Sequence, residues 1–191
     1  NDGDEADIYF AESISGFGTN ILVNDDAAGN IQMEPDIGID KDGNPYLIWV
    51  DHDVVLHPSF IRDHIENAAQ DCFLQGKRVF LPRQLTQKSL EQGVLEPPSL
   101  LTRGLGNRKN AWYCPLLGKH MARKKRFQVT LRGCNLSMPR QIFEMVDGYD
   151  ETFDGIWGRE DSDICYRMFH SGYRIKNLYW SGLQYHLDHP A

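Results

Sequence analysis

The apolar positions of this 191-residue chain change rhythm along its length. In the first fifty residues they come in short runs separated by turn-forming residues. Residues 7–13 and 19–23 and the alternating Pro35-Asp36-Ile37-Gly38-Ile39-Asp40 predict strands, and Asp42-Gly43-Asn44 predicts a hairpin turn. Tyr46-Leu47-Ile48-Trp49-Val50 is continuously apolar, as a buried strand would be. No helical period occurs before Asp51, so this part predicts an antiparallel β-meander. Beyond it the period lengthens. Phe60, Ile61, His64, Ile65, Ala68, Ala69, Cys72 and Phe73 recur at helical spacing behind Pro58, predicting a helix over 58–74 with His64 as a packed histidine. Residues 78–81 and 127–132 predict strands, 138–146 a short helix, and 173–175 and 184–187 two more strands. Ile164, Cys165, Met168 and Phe169 form one stripe, predicting a helix that opens at Glu160 and stops at Gly172. Residues 82–126 show no regular pattern, and Pro97-Pro98 break any helix there.

Composition adds bounds to this α/β pattern. Hydrophobic residues make up 41% and charged residues 25%, ordinary for a soluble globular chain. No apolar run approaches membrane-spanning length. Residues 1–7 are acidic and lack the basic and apolar regions of a signal peptide, and the chain does not open on Met, so it reads as a piece of something longer. The four cysteines are widely spaced without a C-x-x-C pair, which predicts reduced thiols and a cytoplasmic setting. The net charge of −7 is unevenly distributed: residues 1–50 hold eleven acids and one base, whereas residues 51–191 carry a net +3. The acidic first part argues against nucleic-acid binding there. Residues 103–132 hold nine bases and no acid, either as a solvated loop or as a mobile lid that meets phosphate charge. No nucleic-acid motif accompanies Trp112 and Tyr113 within that stretch.

Two acidic groups offer chemistry. Glu160 and Asp161 sit where a helix begins, beside free backbone N–H groups that can hold a carboxylate at a fixed angle. Such a presented pair suits a general base, and it is equally what plain N-terminal helix charge looks like. Asp51-His52-Asp53 follows the buried strand directly, with its two carboxylates on roughly the same side. That arrangement suits a divalent cation with positions open for phosphate oxygens. The acidic turn over residues 40–44 lacks the later Glu of an EF-hand and reads as a hairpin turn. Asn135-Leu136-Ser137 matches a glycosylation sequon, discounted without a secretion signal.

The early segments Asp7-Ile8-Tyr9-Phe10-Ala11-Glu12-Ser13, Phe17-Gly18-Thr19-Asn20, Pro35-Asp36-Ile37-Gly38-Ile39-Asp40 and Gly43-Asn44-Pro45-Tyr46-Leu47-Ile48-Trp49 resemble one repeat of the sialidase-like (BNR-type) β-propellers. The later order is Asp51-His52-Asp53, Arg132-Gly133-Cys134-Asn135-Leu136-Ser137, Gly148-Tyr149-Asp150-Glu151, Trp157-Gly158-Arg159-Glu160-Asp161 and Tyr185-His186-Leu187-Asp188-His189-Pro190. It resembles the C-terminal half of a GT-A glycosyltransferase of the family 2 type, related to the galactosyltransferase C-terminal domain. The resemblance implies a propeller-blade-like meander over 1–45 and the metal and acceptor half of a transferase, with a partial GT-A mixed sheet, over 46–191. It implies Mn2+ or Mg2+ held with the donor diphosphate by Asp51 and Asp53 and completed by His186, with His189 and Asn135 as weaker candidates. Asp161 becomes the base of inverting transfer, and Glu160 orients the acceptor in a pocket shaped by Trp157, Gly158 and Arg159. The implied partners are a nucleotide-sugar donor, UDP-linked by preference, and a saccharide acceptor, with no nucleic acid and no transmembrane segment. A cytoplasmic location, including the membrane periphery, and self-association complete these expectations. The segment before Asp51 does not supply the nucleotide-binding half such an enzyme needs, so an inactive chain is expected in one version of this reading. The alternative is a non-catalytic, propeller-derived binding module or a chimeric remnant.

Overall fold

The computed structural model describes residues 9–10, 21–22, 35–39, 45–128, 132–153 and 159–189. The element order is β1 (Tyr9–Phe10), β2 (Ile21–Leu22), β3 (Pro35–Ile39), β4 (Pro45–Val50), β5 (Val54–Leu56), α1 (Phe60–Asn67), β6 (Cys72–Gln75), β7 (Lys77–Phe80) and α2 (Arg83–Gln92). It continues with α3 (Pro115–Met121), β8 (Lys124–Lys125), β9 (Asn135–Pro139), α4 (Arg140–Met145), α5 (Glu160–His170), β10 (Arg174–Asn177) and β11 (Leu183–His186). Short 3-10 turns cover Arg108–Ala111 and Glu151–Phe153.

One mixed sheet runs in the order β3-β4-β9-β6-β10-β8, and a smaller one in the order β5-β11-β7. Only β6–β10 and β7–β11 pair in parallel; the other described pairs are antiparallel. The chain is therefore mixed α/β. β1 and β2 pair with each other, and β3 pairs with β4, Ile39 lying opposite Pro45. The strands expected over 7–13 and 19–23 fall largely outside the described residues, and the turn over 42–44 falls there entirely.

The period-2 alternation of β4 and β6 splits the core between the two faces of the large sheet. Trp49 and Phe73 join Leu136, Met138, Ile142, Ile164, Met168 and Ile175 on the face covered by α4 and α5. Tyr46, Ile48, Cys72 and Leu74 join Phe60 and Leu178 on the face covered by α1. A third cluster of Val79, Leu81, Leu105, Ala111 and Tyr185 fills the space beside the small sheet. Each of these large side chains, fully buried, stabilises the fold by roughly 1.5–3 kcal/mol.

Three expectations need correction. The helix expected over 58–74 stops at Asn67, and Cys72–Gln75 forms β6, buried throughout. A central strand position with hydrogen-bond partners on both edges outcompetes a helical continuation whose apolar stripe runs past the space available under the sheet. The helix expected from Met138 starts at Arg140, because Asn135–Pro139 is β9, wedged between β4 and β6. The irregular stretch over 82–126 contains two helices, α2 and α3; α2 ends at Gly93, ahead of Pro97. The strand expected over 127–132 lies partly outside the described residues.

The basic stretch is tethered rather than loose. Gly106 and Phe80 exchange backbone hydrogen bonds of 3.0 and 3.1 Å, Cys114 donates to the Trp180 carbonyl at 2.8 Å, and the Tyr113 hydroxyl donates to buried Asp63 at 2.9 Å. Gly118 lets α3 lie directly on the chain at Tyr179: a Cβ there would come within 1.9 Å of the Tyr179 carbonyl oxygen. Helix α5 runs from Glu160 to His170 as its stripe predicts, burying Ile164, Cys165 and Met168. His64 is fully buried with Nδ1 2.7 Å from Ser137 Oγ, and burial drives its pKa down to about 3, so it is a neutral packed side chain. Among the described residues no helix is long and apolar enough to cross a membrane.

Candidate active site

Strand register assembles the site. β4 ends at Val50, so Asp51 leaves the large sheet beside the start of β9, where Val50 faces Asn135. The chain turns through His52 and Asp53 and enters β5 in the small sheet, where Val54 faces His186 of β11. Two pairings from opposite ends of the sequence therefore bring Asp53 to His186. The Leu187 N–H donates to the Asp53 carbonyl at 2.9 Å and holds the two segments together.

The side chains converge there. Asp53 Oδ2 lies 3.1 Å from His186 Nε2 and 2.8 Å from His189 Nε2, and the three residues can each offer a ligand atom within 4.8 Å of one another. His186 Nδ1 is 2.8 Å from the Leu187 carbonyl oxygen, a contact that requires the proton on Nδ1. Nε2 is then the nitrogen that faces Asp53 Oδ2, where a ring proton or a bound cation would bridge the pair. Asp53 Oδ1 is buried without a hydrogen-bond partner among the described residues. These residues fit a divalent cation. Two imidazoles and one carboxylate fit Mg2+ poorly, since it prefers oxygen ligands, and suit a transition-metal dication better.

Asp51 points elsewhere. Its carboxylate faces Arg78 Nη1 at 3.5 Å, and its pKa is raised by burial and by Asp53, against the opposing pull of Arg78. Next to Arg78 lies Cys134, whose thiol burial pushes up to about 11, so it stands as a neutral thiol rather than a nucleophile.

Asp161 closes the other side. It sits in the first turn of α5, where the Gly133 N–H donates to its Oδ2 at 2.6 Å. Gly133 is required there, because a Cβ would fall 2.0 Å from Asp161 Oδ1. The Asp161 pKa is raised, first by burial, against the Gly133 hydrogen bond, with Glu160 and Asp51 adding to the rise. Asp161 Oδ1 and Glu160 Oε2 are buried and have no hydrogen-bond partner among the described residues. Asp163, the third acid of the turn, is spent on Arg167 at 2.7 Å.

The structure thus brings Asp53, His186 and His189 together, turns Asp51 to Arg78, and sets Glu160 and Asp161 at the start of α5. Arg159 is exposed at the N-terminus of α5. Asn135 is buried, and its carboxamide nitrogen donates to the Lys77 and Gly182 carbonyls at 3.2 and 3.0 Å, a bracing role between strands. Trp157 and Gly158 lie outside the described residues. Sequence reasoning did not single out Arg78, Cys134 or Tyr149. The Tyr149 hydroxyl is buried near Asp161 and Glu160 without a hydrogen-bond partner among the described residues. Tyr149 and Cys134 stand within motifs that carry the family resemblance, which is the signal that could have drawn attention to them.

A family model described as the N-terminal domain of galactosyltransferase matches residues 119–190. The match spans Gly133, Glu160, Asp161, His186 and His189 and does not reach Asp51 and Asp53. No curated protein matches the chain. Residues 119–190 therefore carry a glycosyltransferase-like domain, and a role in glycosyl transfer follows at that coarse level.

Proposed function

We propose that the chain contributes the metal, diphosphate and acceptor side of an inverting, sugar-nucleotide-dependent glycosyltransferase. The observation that carries this reading is the convergence of Asp53, His186 and His189 within ligand reach of one another, together with a separate half-buried carboxylate, Asp161, clamped by the Gly133 N–H. A cation such as Mn2+ at the first group would supply Lewis-acid neutralisation of a leaving diphosphate. Asp161 uses Oδ2 to accept the Gly133 hydrogen bond and keeps Oδ1 for the acceptor. In the reaction Oδ1 takes the proton of an acceptor hydroxyl as that oxygen bonds to the anomeric carbon. The bond from that carbon to the diphosphate oxygen breaks with its electron pair on the oxygen. The raised pKa of Asp161 makes it a better proton acceptor than a solvated aspartate. Glu160, one residue earlier, would orient the acceptor, while Asp51 lies against Arg78. A galactosyltransferase-type match over the Asp161 and His186 segments supports the same reading.

The test is a calorimetric titration of the chain with UDP, with and without Mn2+. Manganese-dependent binding that disappears in Asp53→Ala is the expected result. A folded chain that binds no UDP under either condition would overturn the donor-site assignment.

A further inference from the structure

A cleft of about 190 Å³ opens beside the acidic residues, lined among others by Gln75, Lys77, Arg78, Asn110, Gln128 and Arg132. It is smaller than the roughly 300–1,000 Å³ of pockets that enclose drug-sized ligands, and suits a group of monosaccharide size. Its floor is built. Lys77 Nζ donates to Asn177 Oδ1 at 2.9 Å, Asn177 Nδ2 to Gln128 Oε1 at 2.7 Å, Gln128 Nε2 to Gln75 Oε1 at 2.8 Å, and Gln75 Nε2 to the Arg132 carbonyl at 2.9 Å. This relay crosses three separate segments and fixes which way every amide faces.

The relay uses one of the three Lys77 donors. The ammonium also lies 5.4 Å from the centre of the Tyr179 ring. Burial lowers its pKa, and Arg132 and Lys125 lower it further, against a smaller opposing effect of Cys134. A half-buried cation, oriented by an amide relay and surrounded by further cations, is a site awaiting an anion.

We propose that this cleft binds the carboxylate of a sugar acid, so that the sugar held beside Asp161 is a hexuronate. This rests on the glycosyl-transfer reading and names its substrate class. A carboxylate meets Lys77 and Arg132, while Gln75, Gln128 and Asn110 border the space its ring hydroxyls would occupy. The donor diphosphate is a poorer occupant, because Asp53, His186 and His189 do not line the cleft, and Arg78, which does, is turned to Asp51. Cys134 lines the cleft and follows directly on Gly133, whose N–H holds Asp161, so a sugar seated there lies near the base.

The test is an NMR titration of the metal-free chain with methyl β-D-glucuronide and with methyl β-D-glucoside. The glucuronide is expected to bind at least about tenfold more tightly. Lys77→Gln should erase that preference, Lys77→Arg should retain it, and Arg132→Gln, at an exposed position, should reduce it without disturbing the fold. No measurable preference in the native chain, or an unchanged preference in both Lys77→Gln and Arg132→Gln, overturns the proposal. If Lys77→Gln does not fold, an unchanged preference in Arg132→Gln alone overturns it. A parallel titration with UDP and Mn2+ separates the sources of the anion: a loss of UDP affinity in Lys77→Gln equal to the loss of glucuronide affinity assigns the cleft to the diphosphate and overturns the proposal. Absent UDP binding with the glucuronide preference intact removes the transfer reading and leaves the sugar-acid site standing.

Discussion

Asp161 shows how one hydrogen bond and one missing Cβ prepare a carboxylate for chemistry. Its neighbours oppose ionisation, while the Gly133 N–H holds the charged form in a single orientation. Asp161→Asn should lower transfer by about 10²–10⁴-fold and leave Mn2+ affinity unchanged, as read by kinetics and calorimetry on the same preparation. The acid limb of the native pH–rate profile should fall above the ordinary aspartate range and vanish in the variant's residual activity. The stability effect has the opposite sign. Because the folded-state pKa is raised, the folded chain holds this proton more tightly than the unfolded chain. The stability contributed below the ordinary aspartate pKa is lost as pH rises through the folded value. At neutral pH Asp161→Asn should therefore melt higher than the native chain, by about 2–4 °C for each kcal/mol recovered. Gly133→Ala tests the clamp: a Cβ 2.0 Å from Asp161 Oδ1 must displace the carboxylate. A misplacement of that kind should lower kcat by about 10²-fold with little change in the circular dichroism spectrum.

At the scale of elements, legibility followed periodicity where the period was unbroken and failed where tertiary pairing decided. Helix α5 was readable because its stripe, its acidic first turn and Gly172 all agree. Its buried residues belong to the largest core cluster, and Met168 is fully buried. Met168→Ala should cost about 2–5 kcal/mol and lower the urea midpoint without changing the slope of unfolding. Cys72-Phe73-Leu74 looked like the tail of α1 because an apolar run of three fits a helix stripe and a buried strand equally well. What decides is the neighbours: β6 pairs with β9 on one edge and with β10 on the other, both remote in sequence. Asn135-Leu136-Ser137 was given no element, for a related reason. Its polar residues are buried and paired across strands, so composition gave no sign of the core strand that the sheet requires.

At the scale of the molecule, the candidate metal group exists only because two sheets meet at one turn. β4 delivers the acids from the large sheet, and β11 delivers the histidines through the small one. Mn2+ should raise the melting temperature of the native chain, with stabilisation approaching about 2.7 kcal/mol at a hundredfold excess over its Kd, and should leave Asp53→Ala unmoved. The roles of His186 and His189 came only from the family resemblance; by itself the sequence determined the strand that ends at Val50, the helix that opens at Glu160, and the acidic groups that adjoin them. These are local matters, set by runs and periods within a few residues of one another. Only the tertiary structure decided that His186 meets Asp53, that Gly133 clamps Asp161, and that Lys77, Gln75, Gln128 and Asn177 close one relay around a cationic cleft. Those pairings join residues about 30 to more than 100 positions apart, and strand register and helix docking, rather than local propensity, select them.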